Sequence, residues 1–172
     1  MTILTIGHST RTASQFLELL LAHGVDRLAD VRTVPSSRRH PHFSRDALAT
    51  LLAGSGIHYT HFPGLGGLRT PRPDSINTAW REPGFRGYAD HMATRAFEES
   101  LEALIAYADS HSVAVMCAEA KWWQCHRQLI ADALVARGVF VAHIMSSTEA
   151  PGHDLTRFAR VSDEKVQYPA LI

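Results

Sequence analysis

The sequence is poor in cysteine and lysine and has no long apolar run. Its 172 residues include two cysteines, too few for the disulfide framework of a small secreted domain. No apolar stretch approaches the roughly 20 residues of a membrane-spanning helix. The N-terminus has no basic segment followed by an apolar stretch, so a secretory signal is not indicated. We therefore expect a cytoplasmic protein with reduced thiols and no membrane partner.

Neither sign of charge is in excess. Seventeen basic residues balance seventeen acidic ones, which excludes a strongly basic nucleic-acid coat and an acidic tail. All basic residues except Lys121 and Lys165 are Arg. This bias has two explanations: a GC-rich genome, or guanidinium groups that bind carboxylate or phosphate. The segment 31–45 is basic and contains no acid; such a run is usually a solvated face, but this one follows a predicted strand directly.

Short apolar runs alternate with amphipathic patterns along the chain. The runs are typical of buried strands and the patterns of helices. Strands are predicted at 2–6, 27–31, 56–59, 113–117 and 139–144, and helices at 14–21, 45–52, 94–109 and 128–135. The second helix is expected to begin after Ser44 as its N-cap. This alternation predicts an α/β layered fold with a mostly parallel central sheet flanked by helices.

We expect residues 1–172 to form one α/β domain. The motifs described below lie in residues 2–145, whereas the tail 146–172 is weakly patterned, with at most a short strand near 166–168. The Gly- and Pro-rich stretch 61–87 predicts a long loop with one helical turn near Trp80.

Three predicted strands run directly into polar residues. These are His8 and Ser9 after the first strand, Asp30 and Arg32 at the second, and Glu119 after the fourth. Ligands of open α/β sheets bind beyond the carboxyl ends of the strands, so these side chains should share one crevice. Asp30 and Glu119 are candidates for general acid–base catalysis or, alternatively, structural partners of Arg. Helix capping is the alternative role for Ser9.

The segment 117–127, CAEAKWWQCHR, is the most informative element. Cys125, His126 and Arg127 fall at the start of a predicted helix, where backbone N–H groups and the helix dipole favour an anion and lower the pKa of a thiol. We expect Arg127 to clamp an anion and His126 to act as acid, base or ligand. Cys125 is a nucleophile, a ligand or, alternatively, a small buried residue. Cys117 is expected in the core.

Two familiar nucleophile signatures are missing. A phosphatase-type thiol loop ends with Arg six residues after Cys, but positions 123 and 131 are Trp and Ala. No serine occupies a G-x-S-x-G turn. Metal binding would draw on residues whose spacing matches no metal signature, namely His8, His40, His42, Cys117, Glu119, Cys125 and His126. The sequence therefore predicts no metal ligand and identifies no cofactor.

Several short motifs together resemble one family. They are TIGHST at 5–10, DVR at 30–32, P-x-S-x-x-x-P-x-F at 35–43, LGG at 65–67, FRGYADHM at 85–92, MCAE at 116–119 and CHR at 125–127. In this combination the chain resembles the domain-of-unknown-function 488 family over about residues 2–144. The resemblance implies a compact α/β fold. It also groups, without assigning roles, His8, Asp30, Arg32, Glu119, Cys125, His126 and Arg127.

The sequence favours an enzyme that acts on an anionic, phosphate-bearing or nucleotide-like substrate at the carboxyl ends of the strands. The expected substrate-binding residues are His8, Ser9, Arg32, Arg38 and Arg127, and the expected catalytic residues are Asp30, Glu119, Cys125 and His126. One alternative is a nucleic-acid-binding module that uses the basic loop 36–45. Another is a thiol- or metal-dependent redox or sensor protein. The expected partner is a small anionic ligand, with nucleic acid as the alternative, and the oligomeric state is not predicted.

Overall fold

A five-stranded parallel sheet forms the centre of the fold in a computed structural model that describes residues 1–171. The strands are β1 (Thr2–Gly7), β2 (Arg27–Asp30), β3 (His58–His61), β4 (Val113–Cys117) and β5 (Phe140–His143). The helices are α1 (Ala13–Ala22), α2 (Arg45–Ala53), α3 (Pro83–His91), α4 (Arg95–Tyr107) and α5 (Arg127–Ala136). None of these helices is long and apolar enough to cross a membrane. The predicted α/β layered fold with a parallel sheet is confirmed.

The two faces of the sheet are covered by different helices. α1 and α2 pack on one face and α3, α4 and α5 on the other. Successive strand side chains point to opposite faces, so in β4 Val115 and Cys117 contact the α3–α5 side while Ala114 and Met116 contact the α1–α2 side. Burial on both faces explains why this strand is apolar throughout.

The strand order places a crevice at the carboxyl ends of β1 and β4. The order across the sheet is β3-β2-β4-β1-β5, and each neighbouring pair is parallel. β4 thus lies between β2 and β1. The connections that leave β1 and β4 begin with α1 and α5, which lie on opposite faces. A crevice opens where neighbouring strands send their connections to opposite faces.

Three local features differ from the sequence prediction. Thr12, not Ser9, caps α1, in a capping box with Gln15. Ser44 occupies the N-cap position of α2, but its hydroxyl accepts the N–H of Ser37 instead of a helical N–H. α3 begins inside the segment 61–87, for which the sequence predicts a loop. The sequence pattern does not reveal this helix because its glycines weaken the helical periodicity and its initial Pro83 resembles a turn signal.

The tail returns to the α5 face of the sheet. It forms an antiparallel hairpin of β6 (Arg160–Ser162) and β7 (Lys165–Gln167). Val166 and Tyr168 are buried in the same apolar cluster as α3–α5. The short strand expected near 166–168 therefore exists, one residue earlier, and it packs against the helices that flank the crevice.

Candidate active site

A cavity of about 360 Å³ lies beyond the carboxyl ends of β1, β2 and β4. His8, Arg32 and Glu119, which follow these three strands, line it together with Cys125 and His126 at the start of α5. These five residues come from three separate regions of the sequence, around positions 8, 32 and 119–126. The parallel arrangement of β2, β4 and β1 brings them to one edge of the sheet.

The sulfur of Cys125 lies among hydrogen-bond donors. It is 3.5 Å from Nδ1 of His126 and accepts the backbone N–H of Arg127, in the first turn of α5, at 3.5 Å. Burial acts to raise the pKa of this thiol, but hydrogen bonds from Cys117 and His126, together with the positive charges of His126 and Arg127, outweigh it. The pKa of Cys125 therefore lies well below its usual range, which favours the thiolate form of this side chain.

Cys117 lines the same cavity, and its pKa is shifted in the opposite direction. Its side chain is buried at the end of β4, and Nε of Arg127 donates to its sulfur at 3.0 Å. Burial, followed by the nearby Cys125 thiolate, raises the pKa of Cys117 well above its usual range. The pKa values of the two cysteines in this cavity are therefore shifted in opposite directions.

The tautomer of His126 is fixed by a backbone carbonyl. Nε2 lies 2.9 Å from the oxygen of Val31, which can only accept, so Nε2 carries a hydrogen. Nδ1 is then the atom that faces the sulfur of Cys125. Gly67 lies against this ring, where an added Cβ would be 3.1 Å from Nδ1. A side chain at position 67 would therefore crowd the ring of His126.

Arg32 is buried beside the cavity with one donor unused. Its Nε and Nη2 bind the carboxylate of Asp30 at 3.0 and 2.8 Å, and the hydroxyl of Tyr59 donates to the same carboxylate at 2.5 Å. Nη1 is also buried and has no hydrogen-bond partner among residues 1–171. A buried donor without an acceptor costs about 1–3 kcal/mol. Arg32 therefore brings a positive charge and an unpaired donor to the wall of the cavity.

His8 presents a neutral ring to the same cavity. Nδ1 donates to the carbonyl oxygen of Ser9 at 2.9 Å, and the ring stacks on Phe43 with a centroid separation of 4.3 Å. Burial is the main cause that lowers the pKa of His8 to about 4. Nε2 is therefore an unprotonated acceptor at neutral pH.

Arg127 differs from the expected anion clamp. The side chain is buried and turned toward protein atoms: Nε to Cys117, Nη1 to the Thr5 hydroxyl at 3.1 Å and Nη2 to the Glu119 carbonyl at 2.5 Å. This carbonyl reaches Arg127 because Gly7 has no side chain; a Cβ there would lie 1.7 Å from the Glu119 oxygen. Arg127 thus holds the loop that follows β4, a role that the sequence pattern does not reveal.

The remaining predicted residues lie around the cavity at different depths. Ser9 and Arg38 line an adjoining depression of about 490 Å³, which also includes His8 and Glu119. The Glu119 side chain is exposed where the two spaces meet. Asp30 lies behind Arg32 and does not line the cavity, so its position fits the structural alternative.

A buried hydrogen-bonded relay that the sequence analysis missed connects Arg127 to the tail. It begins at the Thr5 hydroxyl, which Arg127 binds and which lies 2.6 Å from Nδ1 of His143. Nε2 of His143 lies 2.9 Å from Nδ1 of His153, and Nε2 of His153 lies 2.8 Å from the carboxyl group of Asp132. Asp132 also accepts from the hydroxyl of Tyr168 at 2.7 Å. Burial is the main cause that lowers the pKa of His143 to about 3, so this ring is neutral at pH 7. The relay thus connects the guanidinium of Arg127 to the carboxyl group of Asp132 through Thr5, His143 and His153.

The two tryptophans of the loop 118–124 lie in different surroundings. Trp122 stacks on His143 with a centroid separation of 4.3 Å and therefore packs the loop. Trp123 lies beside a further cavity of about 430 Å³ on the other side of His126. Within residues 1–171, no group of three or more His, Cys, Asp or Glu side chains is arranged to hold a metal ion.

One family profile matches the sequence. It is described as domain of unknown function DUF488 and covers residues 12–134. That span includes Arg32, Glu119, Cys125 and His126, and His8 lies four residues before it. No curated protein and no solved structure matches the chain.

Proposed function

Since the chain belongs to the DUF488 family of domains of unknown function, we propose from the geometry of the site that it is an enzyme whose Cys125 thiolate attacks an anionic, phosphate-bearing or nucleotide-like substrate. One observation supports this most directly. The same cavity is lined by a cysteine with a lowered pKa and by a buried arginine with an unpaired donor. A nucleophile and an anion-binding group are the two parts that such a reaction needs.

The residues around the thiolate have distinct roles in this reaction. The positive charge of Arg32 attracts the substrate anion, and Asp30 positions the guanidinium by binding its Nε and Nη2. The sulfur of Cys125 forms a bond to the electrophilic centre while the bond to the leaving group breaks. His126 holds the proton that the thiol has lost, at Nδ1, and donates it to the leaving group. Water or an acceptor molecule then releases the bound group from the sulfur.

The charge around the cavity supports an anionic substrate with more than one charged group. Arg38, Arg39 and Lys121 are exposed around the adjoining depression. This depression meets the cavity at His8 and Glu119, which line both of them. A second phosphate or a phosphate-linked sugar would contact these cations. An oligonucleotide would use the same cations, but its affinity would fall steeply with salt.

Protection of Cys125 from alkylation tests the proposal. Iodoacetamide is added to the purified protein with phosphate, mononucleotides, sugar phosphates or short oligonucleotides, and the modified cysteine is found by mass spectrometry. We expect one small anion class to slow the alkylation of Cys125. The same ligand at 100 times its Kd should stabilise the fold by about 2.7 kcal/mol.

Two variants distinguish the site from general ionic effects. Arg32→Gln should abolish the protection, whereas Arg72→Gln, which changes an exposed arginine paired with Asp74, should retain it. Protection that persists in Arg32→Gln, or the lack of protection by any small anion in the wild type, would overturn the proposed site. Protection by oligonucleotides alone, with steep salt dependence, would replace the enzyme proposal with a nucleic-acid-binding module.

A further inference from the structure

We propose that Cys117 and Cys125 form a reversible intramolecular disulfide, in which Cys125 reacts first with a hydroperoxide and Cys117 then resolves the product. The inference rests on the reactive Cys125 of the proposed function, but it requires neither the substrate nor the anion-binding role of Arg32. It assigns a modification site to Cys117, which has no part in the proposed reaction.

The geometry places both sulfurs on one arginine and in one cavity. Arg127 donates from its backbone N–H to Cys125 and from Nε to Cys117, at 3.5 and 3.0 Å. Both residues line the 360 Å³ cavity. Cys117 ends β4 and Cys125 lies just before α5, at the two ends of the loop 118–124. The loop that Arg127 holds against β1 therefore keeps the two thiols side by side.

Hydroperoxide is the oxidant class that fits this site. Both cysteines are nearly buried, so a reagent must enter the cavity to reach them. Hydrogen peroxide and small organic hydroperoxides are small and uncharged, and a thiolate is the form of cysteine with which they react.

The first step oxidises Cys125. Its thiolate attacks one oxygen of the peroxide, the S–O bond forms and the O–O bond breaks. The sulfur loses two electrons and becomes a sulfenic acid, and the peroxide is reduced to an alcohol or water after its leaving oxygen takes a proton. His126 is the proton donor next to this atom, with Nδ1 3.5 Å from the sulfur.

The second step uses the thiol of Cys117. Its sulfur attacks the sulfur of Cys125, the S–S bond forms, the S–O bond breaks and water leaves with the proton of Cys117. In the reduced protein, burial and the neighbouring thiolate raise the pKa of Cys117. Sulfenic acid formation removes that negative charge, whereas the guanidinium of Arg127 stays at 3.0 Å. The first oxidation therefore activates the second thiol. A dithiol reverses the bond by exchange.

Intact mass spectrometry of the full chain tests this order. The chain has two cysteines, so any intramolecular disulfide has to be this one. With stoichiometric hydrogen peroxide we expect the loss of two hydrogen atoms, reversal by dithiothreitol and a Cys117–Cys125 cross-linked peptide. Cys117→Ser should stop at a sulfenic acid on Cys125 that dimedone traps. Cys125→Ser should leave Cys117 reduced under the same conditions.

Three results would overturn the inference: a sulfenic or sulfinic acid that accumulates on Cys125 in the wild type, disulfide-linked dimers, or oxidation of Cys117 in Cys125→Ser. Circular dichroism and Tm measurements are needed to verify that both variants are folded. A missing disulfide together with intact anion protection would remove this inference alone. The opposite pair of results would remove the proposed function and leave the disulfide.

Discussion

His126 donates from Nε2 to the carbonyl oxygen of Val31 at 2.9 Å, and the next residue is Arg32. One hydrogen bond thus joins the start of α5 to the end of β2. Because it occupies Nε2, it leaves Nδ1 for Cys125. The proposed base, His126, is therefore oriented by the strand end that also carries Arg32, the proposed anion-binding residue.

His126→Gln should make Cys125 less reactive. A glutamine keeps an N–H for Val31 but lacks the ring nitrogen and the positive charge near the sulfur, so the pKa of Cys125 rises. The measurement is the iodoacetamide rate as a function of pH. Below the new midpoint the rate falls about tenfold for each unit by which the midpoint moves. His111→Gln, at an exposed pair with Asp26, is the control, and a pH profile equal to that of the wild type in His126→Gln would contradict the role of the base.

Asp30→Asn should lower the free energy of unfolding by about 3 kcal/mol, because it leaves the charge of Arg32 buried without a carboxylate. The side chains of this pair are 7% and 0% exposed. Asp74→Asn is the matched control at an exposed arginine pair and should cost less than about 1 kcal/mol. Urea unfolding measures both. Equal decreases in the free energy of unfolding of the two variants would show that the buried Asp30–Arg32 pair contributes no more to stability than the exposed pair.

Gly7→Ala should destabilise the protein by about 2 kcal/mol or more, since the new Cβ collides with backbone that has little room to move. The oxygen it would meet belongs to Glu119, which Arg127 holds. Gly84→Ala is the comparison, because an added Cβ there has only the flexible Glu82 side chain nearby, at 3.6 Å. Thermal unfolding should separate the two. A Gly7→Ala protein with the Tm of Gly84→Ala would disprove the close approach.

Stability should decrease as the pH falls from about 6.5 to 4. The pKa of His8 is about 4 and that of His143 about 3 in the folded protein, below the ordinary value of 6.5. In this range the unfolded chain binds protons that the folded chain does not, so each histidine removes about 1.4 kcal/mol per pH unit. His143→Gln should flatten the pH slope of urea unfolding, whatever its stability at pH 7. His58→Gln, which changes an exposed histidine, is the control. An unchanged pH slope in His143→Gln would argue against a buried neutral ring at this position.

The parallel sheet and the meeting of His8, Arg32 and Cys125 could be predicted from the sequence. Apolar runs that alternate with helical patterns indicate parallel strands, and the carboxyl ends of such strands share an edge. These inferences depend only on local pattern and on general topology.

The direction of Arg127 could not be predicted in the same way. Its side chain turns inward because the Glu119 carbonyl passes over Gly7, a contact between two distant segments. The same holds for Thr5 and His143, which are 138 positions apart and lie in strands whose apolar pattern says only that they are buried. Side-chain partners across a sheet depend on strand order, which the pattern leaves open.

The relay from Arg127 to Asp132 also has a consequence for the way the protein opens. It ties the loop after β4 to β1, β5 and Tyr168 of the tail. When one hydrogen bond of a buried polar network breaks, the neighbouring polar groups lose their partners as well. These segments should therefore open together rather than one by one. Hydrogen exchange at the amides of His8, Ser9 and Thr156, which bond to Cys117, Ala118 and Asp132, would then share one opening free energy. The tail and the cavity would belong to one cooperative unit.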